Sequence, residues 1–358
     1  MADTTTNFLP SRRKVLLGGG VMLTAPFVLR GTAQSSEQVI VRTTGGRYDD
    51  VMRRQVYDPF TELTGITVIP VAATIAKMLT MARARNVELD LIDAAIGPLV
   101  TLQREGVLAP IDYGSWKWSK PDDVMVDYRQ DKHVGHYVYA SVLAYNTNSF
   151  PDGQHPQNWS DFWNSEKFAG PRMLADMATG HPNLEFALLA DGVPMDQLYP
   201  LDIKRAFEAM SRLRPHIRKF WDTGALSSQM MLDQEVLLGS IWNGRVQPLI
   251  DQGVPLGFVW NQHMQQLQSL GVFEGAPNAK NAQMLIDFML QPEVQARYSA
   301  DLQYGPTNQK AFGILTAEQA AQLPGSPASR AVGFLPNIDW WEDNRELVNR
   351  EWSNWILQ

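Results

Sequence analysis

The amino-acid sequence predicts an α/β protein with doubly wound sheets, and three observations support that prediction. Short β-rich runs alternate with helical patterns over residues 38–69 and again over residues 75–106. A second set of alternating elements follows over residues 151–263. The 358 residues also exceed what one hydrophobic core usually holds, so two α/β lobes are expected.

The first unit begins with a strand at Gln38–Arg42, which ends in the loop Thr43-Thr44-Gly45-Gly46. A helical pattern with apolar residues at spacings of four, four and three then leads to a second strand. Pro59 should kink this helix or start a second turn, and Gly65 is expected to be its C-cap. The order strand, loop, helix, strand indicates a parallel βαβ unit.

The unit repeats with a helix over residues 75–82 and a buried strand at Leu89–Ile92. A loop is expected at Asp93–Gly97, at the same sheet edge as the loop Thr43–Tyr48. Doubly wound lobes bind ligands at the carboxyl ends of their strands, so both loops are candidates for a binding site.

The run Tyr137–Tyr145 is predicted to be a strand that crosses between the lobes. The second lobe is predicted to hold strands at 173–174 and 240–242 and helices at 184–189 and 203–213. Further helices are expected over 282–290, over 293–298 and from about Ile338. The last helix carries a stripe of large side chains whose spacing favours packing on a core over carbohydrate binding: Trp341, Val348, Trp352 and Trp355.

The N-terminus has the parts of an export signal. Arg12-Arg13-Lys14 precedes an apolar run of about fifteen residues, and small residues follow at Gly31-Thr32-Ala33. The paired arginines indicate a twin-arginine signal, with cleavage near Ala33 and delivery to the periplasm. A retained anchor or a tail is the alternative. No later segment has 18 uncharged apolar residues, so the mature protein is expected to be soluble.

Composition excludes several functions. There is no Cys, which removes disulfides, thiolate metal sites and Cys nucleophiles. The net charge is −7 without a cluster of Lys and Arg in the body of the chain, so nucleic-acid binding is not expected. Loss of residues 1–33 would remove four basic side chains and one acidic one, leaving a net charge near −10.

Seven segments together resemble the spermidine/putrescine-type family of periplasmic solute-binding proteins of ABC importers. They hold the family's order from about residue 38 to the end, and the tail segments Asp339-Trp340-Trp341 and Arg350-Glu351-Trp352 are closer to a branch with 4-aminobutyrate-like receptors. The seven segments are Thr64–Val68, Asp90–Ile92, Leu143–Thr147 with Trp159–Trp163, Gly239–Arg245, Ala279–Asn281, Pro292–Gln295 and Tyr304–Asn308.

This resemblance implies a two-lobe periplasmic-binding-protein fold, in which two doubly wound lobes joined by crossing hinge strands close on one small ligand. Lobe 1 would comprise residues 36–143 plus 269–311, and lobe 2 residues 144–268 plus 312–358. The implied role is capture of an amine, ω-amino acid or related organic ion for a membrane permease by a monomer without cofactor or metal. The alternative is an exported α/β enzyme that could depend on a cofactor.

A cleft that binds a small amine or amino acid needs aromatic faces, hydrogen-bonding groups and a cation for a carboxylate. Tyr48 could instead pack on its own lobe, and Tyr139 and Ser141 could serve only the hinge. Arg245 could bind a ligand carboxylate or brace the hinge through an ion pair. The candidate ligand-binding residues are Thr44, Arg47, Tyr48, Ile96, Tyr139, Ser141, Asp176, Trp242, Asn243, Arg245, Gln268 and Tyr304.

Two departures from the family argue against a polyamine. Family members that bind polyamines carry acids in the loop after a second-lobe strand, where this chain has Thr179 and Pro182 and only Asp176 nearby. A further acidic position falls in the segment Gln265–Gly271, expected to be a loop, which has no acid. Two amines desolvated without counter-charges would cost several kcal/mol.

Other chemistry has weaker support. His133 and His136 have a metal-like spacing, but their neighbours indicate a solvated turn. The loop Thr43–Gly46 could cradle phosphate through backbone amides, yet it lacks both nucleotide-binding glycine motifs. No hydrolase motif places the scattered Ser, His and Asp residues.

Overall fold

The computed structural model describes residues 37–43 and 45–358. The predicted export signal at 1–33 and the candidate Thr44 lie outside these residues. Short 3-10 turns and one π-helical turn connect the elements. The first part contains β1 Gln38–Thr43, α1 Arg47–Met52, α2 Asp58–Thr64, β2 Thr67–Ala72, α3 Ile75–Ala84, β3 Leu91–Ala95, α4 Ile96–Arg104, β4 Leu108–Ala109 and β5 Val134–Asn146.

The middle part contains α5 Trp159–Trp163, β6 Arg172–Ala175, α6 Leu184–Ala190, α7 Ile203–Leu213, β7 Ile217–Trp221, α8 Gly224–Leu232, β8 Leu238–Trp242, α9 Asn243–Asp251 and β9 Leu256–Phe273. The last part contains α10 Ala279–Met289, α11 Pro292–Leu302, β10 Gly305–Pro306, α12 Ala317–Ala321, α13 Pro327–Arg330, β11 Gly333–Phe334 and α14 Ile338–Ile356. The sequence did not predict β7, α8 or α9.

The main strands form one mixed sheet in the order β2-β1-β3-β9-β5-β8-β6-β7. Strand β1 pairs in parallel with β2 and β3, and β6 pairs in parallel with β7 and β8. Between these two parallel groups lie β5 and β9, which run antiparallel to each other. Two parallel α/β groups joined by long crossing strands confirm the predicted fold class.

The first helix of the sequence pattern is divided in the structure. A π-helical turn at Arg53–Tyr57 separates α1 from α2, and Pro59 occupies the first turn of α2. Helix α2 ends at Gly65, whose φ of 74° is the left-handed C-cap conformation. Pro59 thus lies in the first turn of α2, directly after the π-helical turn, in agreement with the second turn expected there.

The loop expected at Asp93–Gly97 does not exist. Strand β3 continues through Ala95, and α4 begins at once with Ile96. Ala95, with φ −57° and ψ 149°, makes the whole turn from strand to helix. A polar Asp within an apolar run indicated a strand end in the sequence, but Asp93 is fully buried and its side chain bonds inside the fold.

Strands β5 and β9 are the long elements of the sheet, with 13 and 18 residues. The prediction of a strand over 137–145 is confirmed. The expected loop at Gln265–Gly271 is wrong, since these residues lie in β9 and are buried on both faces. The glutamines there resembled a surface segment, but Gln266 donates to Ser141 and Gln268 to Asp93 inside the sheet.

The buried side chains fall into separate clusters. One surrounds Phe60 and Phe288 and draws on residues 39–138 and 267–302. Another surrounds Trp159 and Phe186 and includes the inward face of α14, so the predicted packing of that helix on a core is confirmed. These clusters are compatible with the two lobes, whose boundaries stay a prediction.

Helix α14, of 19 residues, is the longest helix of the described residues. No helix in that part of the chain is both long and apolar enough to span a bilayer.

Candidate functional site

A cavity of about 320 Å³, here called the central pocket, lies where β3 passes into α4. Its walls come from the start of α4, the loop before α6, strands β5 and β9, and the start of α14. The lining residues are Ile75, Ala95, Ile96, Gly97, Pro98, Thr101, Tyr139, Ala178, Thr179, Gly180, His181, Gln266, Leu267, Pro336, Ile338, Glu342 and Arg345.

A charged pair on α14 forms one wall. Arg345 donates from Nη2 and Nε to Glu342 Oε1 at 2.6 and 3.1 Å. The other oxygen, Glu342 Oε2, accepts a 2.6 Å hydrogen bond from Thr101 Oγ1 on α4. Among the lining residues Glu342 and Arg345 are the charged side chains, so the pocket contains one carboxylate, and that carboxylate is already paired.

Residues 178–181 of the loop before α6 form another wall, and the predicted residue Asp176 is not among the lining residues. Asp176 Oδ1 accepts from the Ala178 amide at 2.9 Å, and Thr179 Oγ1 donates to the Asp176 carbonyl at 2.7 Å. His181 packs edge-on against Trp341 at 5.0 Å between ring centroids. Burial, and after it the charge of Arg345, lowers the pKa of His181 to about 3, so its imidazole is neutral near neutral pH.

Behind this wall a buried carboxylate holds Trp341 in place. Glu185 Oε1 accepts from Trp341 Nε1 at 2.8 Å and from the Tyr199 hydroxyl at 2.5 Å. Burial raises the pKa of Glu185, and its Oε2 has no hydrogen-bond partner among the described residues. The position of His181 in the pocket thus depends on an indole fixed from within the core.

The structure brings three predicted aromatic residues together. Tyr139 lines the central pocket, and its ring centroid lies 5.9 Å from that of Trp242 and 6.3 Å from that of Tyr304. Tyr304 also stacks on Tyr137 at 4.5 Å. Trp242 and Tyr304 are not among the lining residues, so they contribute to the pocket through their contacts with Tyr139. Ile96, another predicted residue, lines the pocket directly.

Several predicted polar residues belong to buried networks. Gln268 Nε2 donates to Asp93 Oδ1 at 2.8 Å, and the Tyr48 hydroxyl donates to Asp93 Oδ2. Burial, and after it the Asp93 charge, raises the pKa of Tyr48. Ser141 Oγ accepts from Gln266 at 3.2 Å.

Asn243 connects two segments beside the aromatic group. Its Oδ1 accepts from the Ala140 amide at 2.9 Å, and its Nδ2 donates to the Gln303 carbonyl at 2.7 Å. Within the structure described here these contacts fix β5, α9 and the end of α11 to one another.

The predicted cations Arg47 and Arg245 are both exposed and lie near Tyr304. Burial raises the pKa of Tyr304, and the positive charges of Arg245 and Arg47 partly offset that rise. Arg47 donates to the Asp301 carbonyl at 3.0 Å. In the described part of the chain Arg245 makes no ion pair, so the hinge-bracing salt bridge considered for it has no partner there.

A second cavity of about 370 Å³ adjoins the central pocket and shares Ile96, Leu267, Pro336 and Ile338 with it. His133 lines this cavity, is 5% exposed and has an unpaired Nδ1 among the described groups. His136 is fully buried in β5 and lies 3.3 Å from Asp93 Oδ2. The solvated turn predicted for these histidines is therefore wrong. The described residues contain no His, Cys, Asp and Glu group that could hold a metal.

Sequence reasoning missed Thr101, His181, Gln266, Glu342 and Arg345 as pocket residues. The spacing of Glu342 and Arg345 indicates a pair on one turn of a helix. Nothing in the sequence shows that this face of α14 meets α4, because the contact joins segments more than 200 residues apart.

Comparison with known proteins identifies the family. Residues 55–325 match the family described as bacterial extracellular solute-binding protein. The chain is 27% identical to the gamma-aminobutyric acid-binding protein of Pseudomonas aeruginosa over 339 residues, which cover 93% of this chain and 94% of the relative. It is 26% identical to spermidine/putrescine-binding periplasmic protein 1 of Haemophilus influenzae over 335 residues, covering 89% and 88%.

A solved structure gives the same answer for the fold. An ABC transporter substrate-binding protein from Bradyrhizobium japonicum superposes with a TM-score of 0.83 at 32% identity, covering 89% of this chain and 99% of that one. These similarities confirm the predicted resemblance and the predicted class of ABC transporter substrate-binding protein. The chain belongs to the bacterial extracellular solute-binding protein family.

Proposed function

We propose that this protein captures a small polar solute in the central pocket and presents it to the membrane permease of an ABC importer. The observation that carries the proposal is the pocket itself, which lies beside the carboxyl end of β3 and is walled by segments from both ends of the chain. Its volume of about 320 Å³ suits a small solute, since ligand sites start near 300 Å³.

We further propose that the protein works as a monomer in the periplasm after loss of residues 1–33, without cofactor, and that it catalyses no reaction. Membership of a solute-binding family supports the receptor role over the exported enzyme. The two-lobe division at residues 143/144, 268/269 and 311/312 would allow closure around the solute. The contact of α4 with α14 is the kind of contact that such closure would form.

An ω-amino acid or related organic ion fits better than a polyamine. The lining contains one carboxylate, Glu342, and both of its oxygens already accept hydrogen bonds. Thr179, where the family resemblance would place an acid, lines the pocket as a neutral side chain. The relative that binds gamma-aminobutyric acid supports the same choice.

A thermal-shift screen of amines, ω-amino acids, betaines and organic acids tests this function. We expect a small solute to raise the melting temperature without being consumed, because ligands that bind only the folded state stabilise it. Spermidine should give no shift. A strong spermidine shift would contradict the proposed solute class, and turnover of any hit would contradict the receptor role.

A further inference from the structure

We infer that the solute carries a carboxylate and that Arg345 on α14 binds it, with the first turn of α4 as the neighbouring donor. This inference rests on the proposed function and narrows it from small polar solutes to organic acids and ω-amino acids. It also moves the carboxylate anchor from Arg245, the sequence-based candidate, to the C-terminal helix.

The guanidinium of Arg345 has N–H donors that no described residue accepts. Its Nε and Nη2 both donate to one oxygen of Glu342, and it makes no other hydrogen bond among the described residues. A guanidinium has five N–H groups in a planar fork that suits a carboxylate. The side chain is 30% exposed, and the residue lines the pocket, so a solute can reach it.

Glu342 positions this arginine and is not free to bind a solute cation. Its side chain is 7% exposed, Oε1 accepts from Arg345, and Oε2 accepts from Thr101 at 2.6 Å. Glu342 thus links the guanidinium of Arg345 to Thr101 on α4, which fixes the position of the guanidinium at the pocket. A solute ammonium group would find no unpaired carboxylate among the described lining residues, whereas a solute carboxylate would find an arginine.

Helix α4 adds to the same preference for an anion. A methyl group built on Gly97 would lie 3.5 Å from Arg345 Nη2, so the guanidinium packs against the first turn of this nine-residue helix. The N-terminus of a helix carries unpaired N–H groups and a partial positive charge, although Pro98 leaves the first turn of α4 one N–H short. Arginine and helix terminus therefore converge on one corner of the pocket.

A neutral histidine completes this corner. His181 lines the pocket, and its buried Nδ1 has no partner within the described part of the chain. Because burial lowers its pKa to about 3, His181 adds no positive charge to this corner near neutral pH. If the solute also has an ammonium group, the ring of Tyr139 and the side-chain oxygen of Gln266 offer it a cation–π and a polar contact.

The experiment compares 4-aminobutyrate and butyrate with their amides and with butane-1,4-diamine, by thermal shift and calorimetry. The variants are Arg345→Gln, Arg345→Lys and, as a matched control, Arg350→Gln at an exposed position of the same helix. We expect the wild type to prefer carboxylates over amides. Arg345→Gln should weaken carboxylate binding by about 10- to 100-fold and remove that preference, since a hydrogen bond to a charged group contributes about 1.5–3 kcal/mol.

The ratio of carboxylate to amide affinity separates a ligand contact from a structural role of Arg345. Partial misfolding would weaken the binding of the carboxylate and of the amide equally. Arg345→Lys should keep part of the preference, and Arg350→Gln should keep all of it. A preference unchanged in Arg345→Gln, or a wild type that responds to no carboxylate, overturns the inference. A wild type that binds only the amides or the diamine overturns the inference but leaves the proposed receptor role intact. Turnover of any of these compounds would instead contradict the receptor role.

Discussion

Thr101 Oγ1 donates a 2.6 Å hydrogen bond to Glu342 Oε2 across 241 residues of sequence. The bond joins the second half of α4 to the first half of α14, and both helices line the central pocket. Beside it, Arg104 Nη1 lies 2.7 Å from Asp343 Oδ1, and Arg104 Nη2 lies 3.0 Å from Asp339 Oδ1. The hydrogen bond between Thr101 and Glu342 is shielded from solvent, whereas the ion pairs of Arg104 are exposed. The hydrogen bond should therefore contribute more to the stability of the folded state than the ion pairs do.

Thr101→Val should destabilise the protein by about 1–3 kcal/mol, because it leaves a largely buried carboxylate oxygen without its donor. Thr101→Ser keeps the hydroxyl and is the control. Urea unfolding of Thr101→Val, Glu342→Ala and the double variant measures the coupling between the two residues, expected at about 1 kcal/mol. A coupling near zero would mean that the bond contributes nothing.

Glu185→Gln should be neutral or stabilising by about 1 kcal/mol near neutral pH. The raised pKa of Glu185 means that the folded state favours its protonated form. The contribution of Glu185 to the free energy of unfolding is therefore fully present below its ordinary pKa. It is lost as the pH rises through the pKa that this carboxyl has in the folded state. Glutamine keeps an acceptor for Tyr199 and Trp341 without the charge.

The advantage of Glu185→Gln should consequently disappear in acid, which urea unfolding across a pH series would show. Glu185→Ala is the contrasting variant and should lose about 2–4 kcal/mol, since two buried donors would lose their acceptor. A Gln variant that is as unstable as the Ala variant at every pH would contradict this account.

His133 should make the protein less stable as the pH falls. Burial lowers its pKa to about 4, so the unfolded chain takes up a proton before the folded one does. Stability is then lost between the ordinary histidine pKa and the folded value, by roughly 1–2 kcal/mol from about pH 7 to about pH 5. In His133→Gln the free energy of unfolding should fall less between these two pH values, by the same roughly 1–2 kcal/mol.

Unfolding measured at the two pH values checks this prediction. His216→Gln, at an exposed histidine, serves as the control and should leave the difference between the two values unchanged. An equal pH dependence in wild type and His133→Gln would show that folding does not lower the pKa of His133.

Trp242→Ala and Arg245→Ala should weaken solute binding without unfolding the chain. Trp242 packs edge-on against the pocket residue Tyr139, so its loss should cost about 1–2 kcal/mol, or roughly 5- to 30-fold in affinity. Arg245 lies near Tyr304 and should have the smaller effect if Arg345 is the carboxylate anchor.

Calorimetry with the best solute from the screen measures both variants, and Arg218→Ala at an exposed arginine is their control. Unaltered affinity in both variants would remove Trp242 and Arg245 from the site. Loss of the cooperative unfolding transition in Trp242→Ala would instead assign that residue to the core.

Local sequence patterns determined much of this protein. Apolar periodicity located most strands and helices, and residues 203–213 and the start of α14 were predicted at their observed bounds. Gly65 and Pro59 act on the backbone of their own segment, which is why their roles could be predicted. The aromatic group of Tyr139, Trp242 and Tyr304 came from family resemblance, which carries tertiary information that one pattern lacks.

Only the tertiary structure decided which polar residues face the pocket. Tyr48 and Gln268 bond to Asp93 within the fold, whereas Thr101, Glu342 and Arg345 meet at the pocket from distant segments. Hydrophobic periodicity states which face of an element is buried, but not which other element covers it. The polar residues of β9 and the charged face of α14 look alike in sequence because a buried hydrogen bond and contact with water satisfy the same side chains.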